Sequence, residues 1–130
     1  MKADLEWTGY GPCDNKEIYR ELSMLKKVKT SHFTFHIADI VQKCLEEKNI
    51  LKPLNINISY NRNLLLAAID FFSHNNPSIF KMFSDSEHSV FIELLESLKD
   101  NTKEWEVPEH RLHVIETVIR DFKRALEINL

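Results

Sequence analysis

Three places along this 130-residue chain bring together side chains that could hold a metal or move a proton. His32, His36 and Asp39 recur at helical spacing, so on a helix all three share one face. Two imidazoles and a carboxylate form a ligand type used for zinc or iron, but the sequence supplies no further ligand. Partly exposed histidines beside an apolar face account for the same pattern, so no metal and no cofactor are expected. Asp70 and His74 stand one helical turn apart, close enough to meet. That pair reads either as an acid–base dyad, its imidazole tuned by the carboxylate, or as a polar link that fixes helix packing. No nucleophile or substrate-binding motif accompanies it, which favours the structural role. His110 and His113, near Glu109 and Glu116, fall in the first turns of a helix, where a cationic histidine is disfavoured by the helix dipole.

Familiar catalytic signatures are absent. The chain has no Gly-x-Ser-x-Gly, His-Glu-x-x-His, Cys-x-x-Cys or paired Glu-x-x-His motif. Its arginines, at 20, 62, 111, 120 and 124, have no histidine five to seven residues downstream, a departure from the Arg-x4–6-His pattern of HEPN-type helical ribonucleases. Both glycines, Gly9 and Gly11, precede residue 12, so phosphate-cradling loops and dinucleotide fingerprints are excluded beyond that point. Cys13 and Cys44 have no metal-type spacing and are too few for a disulfide scaffold. Cys44 falls on the apolar face of its helix and reads as a buried, inert thiol.

Charge carries the functional lead. Residues 84–107 hold Asp85, Glu87, Glu93, Glu96, Asp100, Glu104 and Glu106 against Lys99 and Lys103, a local charge of −5, while the whole chain carries −3. Glu93, Glu96 and Asp100 form one stripe on a helix. Residues 16–29 compensate with five basic and two acidic side chains. A solvated face explains the acidic stripe without a partner; a docking surface for a basic partner explains it with one. The overall negative charge argues against direct nucleic-acid binding.

These residues need elements to position them. A chain that lacks glycine for more than a hundred residues is most easily built from helices. The organising stretch is Asn63–Phe72, apolar almost all round, which predicts a helix covered on several sides. Its narrow polar stripe is Asn63, Asp70 and His74. Ahead of it, residues 1–13 read as an irregular arm whose Trp7 and Tyr10 rings dock on the bundle. Asp14 and Glu17 predict a capping box for the first helix, and Ser31 a cap for the second, which runs to Lys48. Residues 54–61, with Ile56, Ile58 and Tyr60 alternating with polar residues, read as a loop or a short strand. Pro77 opens a short helix, and Ser84 caps one that ends at Asp100–Thr102. The last helix starts at Pro108, with Leu112, Ile115, Ile119, Phe122 and Leu126 in the 3-4 spacing of a bundle or coiled-coil seam.

The expected fold is all-α: one domain, 1–130, a bundle of about five main helices behind an irregular arm. No signal-type or membrane-length apolar segment is present, which predicts a soluble, cytoplasmic protein. The expected function is a small protein-binding domain of the inhibitor or immunity type, masking a basic partner such as a nuclease through its acidic face. Glu93, Glu96, Asp100 and Glu104 are the expected docking residues, with Trp7 and Tyr10 as aromatic anchors. The alternatives are an enzyme using His32, His36 and Asp39 or Asp70 and His74, and a homodimeric structural or regulatory protein joined through residues 108–130.

Overall fold

Asn15 starts the first helix. Its backbone is extended, and its side-chain oxygen accepts the Ile18 N–H at 3.0 Å, which satisfies one of the donors a helix leaves open at its N-terminus. Asp14, the expected cap, is engaged in the preceding turn, where its carboxylate accepts the Gly11 N–H at 2.9 Å. That carboxylate also explains the two glycines. A Cβ at Gly9 or Gly11 would lie 2.5 or 2.8 Å from Asp14 Oδ2, so the turn needs room at both positions.

The computed structural model describes residues 7–47 and 60–128, without the side chains at 101, 103, 104 and 128. Five α-helices follow in order: α1 (Lys16–Leu25), α2 (Thr30–Glu47), α3 (Tyr60–Asn75), α4 (Asp85–Ser97) and α5 (Pro108–Ile128). Short 3-10 helices, Pro77–Met82 and Leu98–Glu104, link α3 to α4 and α4 to α5. The fold is all-α, and the described residues contain no strand beyond an isolated bridge between Trp7 and Asn15. Ser31 lies inside α2 and is not its cap, because the helix already begins at Thr30. Tyr60 and Asn61 belong to the first turn of α3, while the rest of the stretch read as loop or strand, 54–59, is outside the described residues. Asp100 and Thr102 do not terminate α4; they tighten it into the second 3-10 helix.

Helix α3 is the axle. Every residue from Arg62 to Ile69 is buried, and α1, α2, α4 and α5 all pack on it. Helices α2 and α4 both lean on α3 but scarcely touch each other. Ser84 caps α4 as predicted, and with Glu87 it closes a capping box, with bonds of 3.2 and 2.8 Å. The seam of α5 is turned inward: Ile115, Ile119 and Phe122 are buried in the chain's own core, with Leu126 packed at its edge.

Two arginines lie inside, each only 1% exposed. Arg62 joins three helices: it donates to Glu47 Oε1 at 3.1 Å, to Ser97 Oγ at 2.6 Å and to the Cys44 carbonyl at 3.1 Å. The Cys44 oxygen is one of the last four carbonyls of α2, which lack a partner within the helix. Arg111 bonds the carbonyls of Tyr10 and Gly11, at 2.9 and 3.1 Å, and the amide oxygen of Asn63. Its guanidinium also lies 4.8 and 4.5 Å from the ring centres of Trp7 and Trp105. Burial lowers its pKa to about 10, which leaves it charged at neutral pH.

Candidate docking face

Helical spacing places Glu93 and Glu96, three residues apart, at neighbouring positions on one side of α4. Glu93 is exposed, three residues beyond Val90 and seven beyond Ser86. Glu96 is half-buried, and Lys99 Nζ lies 2.6 Å from its Oε1; that hydrogen bond, with the carboxylate charge, raises the lysine pKa. Asp100 is exposed in the 3-10 helix. The Glu104 side chain lies outside the described residues. Of the acidic stripe read from the sequence, Glu93 and Glu96 thus lie together on α4, while Asp100 falls beyond Ser97, where the α-helical period stops.

The face that carries Glu93 borders a groove. Helices α2 and α4 stand apart on top of α3, and the space between them holds about 230 Å³. Ala38, Val41, Gln42 and Leu45 form one wall; Phe83, Ser86, Glu87, Val90 and Phe91 form the other. The lining is mostly apolar and includes no lysine or arginine. Lys43 lies on the opposite side of α2. Phe35, 72% exposed, is one turn before Ala38 on the same side of α2. Glu46, one turn after Gln42, and Glu93, one turn after Val90, are both exposed at the edges of the groove, so with Glu87 three carboxylates surround it.

The expected aromatic anchors are elsewhere. Trp7 is buried, its ring 4.9 Å from that of Trp105, and Tyr10 is half-buried 5.9 Å from Trp105. The Tyr10 hydroxyl accepts the Val107 N–H at 3.1 Å, just before α5 begins. These contacts dock the arm on the bundle, as one half of the sequence reading requires, and they turn Trp7 away from the surface.

The histidines separate into different roles. His36 and Asp39 border a second cavity, about 260 Å³, with Glu21, Lys43, Tyr60 and Asn61, but His32 does not. Asp39 pairs with Lys43 at 3.2 Å. Among the described residues no group of three or more His, Cys, Asp or Glu side chains is placed to hold a metal ion.

His74 lies between two aspartates. Its Nδ1 is 2.8 Å from the Asp70 carbonyl oxygen and 3.5 Å from Asp70 Oδ1, and its Nε2 is 3.0 Å from Asp121 Oδ2. Only the imidazolium donates on both sides, so the Asp70 backbone carbonyl, the Asp70 charge and Asp121 together raise the histidine pKa. Burial, with the Asp121 charge adding to it, raises the Asp70 pKa against the pull of His74. Asp121 also takes Arg120 Nη2 at 3.2 Å. The arrangement favours the protonated form of His74 and ties α3 to α5. Asp121 was missed in sequence because it is 47 residues from His74.

His88 was also missed. It is buried, donates from Nε2 to the Phe80 carbonyl at 2.7 Å and packs on Phe91 and Phe122, so it braces the first 3-10 helix against α4. Cys44 is fully buried, and burial pushes its thiol up to about 12. Cys13 is half-buried, and burial with the Asp14 charge raises its pKa too.

Among the described residues, no helix is long and apolar enough to cross a membrane. Comparison of the chain with protein-family models, curated proteins and solved structures returned no match.

Proposed function

We propose that this chain is a protein-binding domain that takes a basic partner on the acidic face formed by α4 and the outer side of α2. An inhibitor or immunity-type role, masking the basic substrate site of an enzyme such as a nuclease, is the form of this function that the charge supports best. The observation that carries it is Glu87 and Glu93 standing beside uncovered apolar surface. Carboxylates alone make a solvated face, but carboxylates edging exposed aromatic and aliphatic groups match the polar rim and apolar centre of an interface. The α2/α4 groove holds less than the roughly 300–1,000 Å³ of small-molecule sites, so a ligand on this face rests on its surface, as a protein partner does.

The test is affinity capture of a partner by the chain, followed by stopped-flow association at several salt concentrations. The association rate should fall steeply between 0.1 and 1 M salt, as the Debye length shrinks from about 10 to about 3 Å. Glu93→Lys combined with Asp100→Lys should slow association while leaving stability within about 0.5 kcal/mol. A salt-independent rate that tolerates both substitutions would remove the reading.

A further inference from the structure

The groove between α2 and α4 narrows what such a partner presents. It is bounded by two helices that rest on α3 and scarcely meet, so its floor is side chains. Along α2 the lining runs from Ala38 to Leu45, about two helical turns. An extended strand would gain nothing from helical walls, since their backbone groups are already bonded within the helices. A helix laid between them would set apolar side chains at i, i+3 or i+4, and i+7 against Val41, Leu45 and Val90. Phe35, exposed one helical turn before Ala38, lies on the same side of α2 as the groove lining.

Charge selects among helices. Glu46, Glu87 and Glu93 border the groove from both walls, and no lysine or arginine lines it. An acidic or neutral helix would bring no countercharge to these three carboxylates. We propose that the α2/α4 groove is a docking site for an amphipathic helix of a partner protein, apolar on one face and lysine- or arginine-rich along both flanks. This rests on the basic-partner reading above and adds the element that the partner inserts.

A synthetic 18-residue helix with leucine on one face and lysine on the other, fluorescently labelled, serves as the probe for the intact chain. A peptide of the same pattern with glutamate in place of lysine is its control. Fluorescence anisotropy should show saturable binding of the lysine peptide and none of the glutamate peptide. Val90→Asp and Ala38→Arg, on opposite walls, should each weaken binding at least tenfold with unchanged circular dichroism. Ala38 is exposed, so that variant keeps the test open if Val90→Asp disturbs folding. Glu87→Gln with Glu93→Gln should weaken binding several-fold and flatten its salt dependence, while Glu96→Gln, outside the groove lining and already paired with Lys99, should change nothing.

Lysine-peptide binding that survives Val90→Asp and Ala38→Arg would overturn the groove and leave the acidic face intact. Equal binding of both peptides would overturn the charge selection. Absence of peptide binding, alongside a captured folded basic partner whose association depends on salt, would overturn the helix proposal alone. Sedimentation showing a dimer that Ala38→Arg dissociates would assign the groove to a second copy of the chain and overturn it as well.

Discussion

His74 on α3 and Asp121 on α5 meet at 3.0 Å, three turns along from the point where Asn63 on α3 meets Arg111 on α5. The two helices therefore run parallel and are fastened at both ends by polar contacts. Between these contacts, Ile115, Val118 and Ile119 of α5 are buried. Aliphatic side chains alone tolerate sliding by a turn, whereas a slip here would strand a buried guanidinium at one end.

The pH dependence of the outer fastening has a definite sign. The folded-state pKa of His74 is raised above its ordinary value of 6.5. Its contribution to stability is therefore full below about 6.5 and is lost as pH rises through the higher folded value. NMR titration of the His74 ring should give a pKa above 6.5. The melting temperature of the wild type relative to His74→Gln should decline across that same window. A titration midpoint at or below 6.5 would contradict the arrangement.

Removing the inner fastening should be far more costly. Arg111→Ala leaves two backbone carbonyls and the Asn63 amide oxygen without their donor, with the Trp7 and Trp105 rings uncovered. Loss of about 3–5 kcal/mol is expected by urea denaturation, together with a red shift of tryptophan emission.

Leu65→Ala and Phe72→Ala should each lower stability by about 2–5 kcal/mol, because both side chains are buried on α3. Phe35→Ser should stay within about 0.5 kcal/mol of the wild type, since the ring is already in solvent. Chemical denaturation of the three variants checks both statements.

Thiol titration should separate the two cysteines. Cys44, with its pKa near 12, should react with Ellman's reagent only on unfolding, and Cys13 should react in the native state but more slowly than a free thiol. Rapid native labelling of both would mean that α2 opens readily.

The sequence made the helices legible wherever apolar residues repeat on one side, as in α2 and α5, or on all sides, as at Leu64–Ile69. It also identified Ser84 as the cap of α4, because that signal is local. It did not reveal the buried arginines. The partners of Arg62 lie 15 to 35 residues away, and those of Arg111 lie 48 to 101 away, with no periodicity to mark them. The one hint was Arg62-Asn63 running straight into an apolar helix that has no solvated side. The acidic segment was visible as composition, but the pairing of Glu96 with Lys99 and the placing of Asp100 beyond the end of α4, in the 3-10 helix, were not.

The contact between Tyr10 and Arg111 spans 101 residues, and that separation sets an order of events. During translation at about 5–20 residues per second, the arm leaves the ribosome roughly 5–20 s before the residue that will hold it. Until then Trp7 and Tyr10 have neither Trp105 nor Arg111 to settle against. Helices α1 and α3 can pack earlier through contacts closer in the chain, so the arm is made early and fixed late.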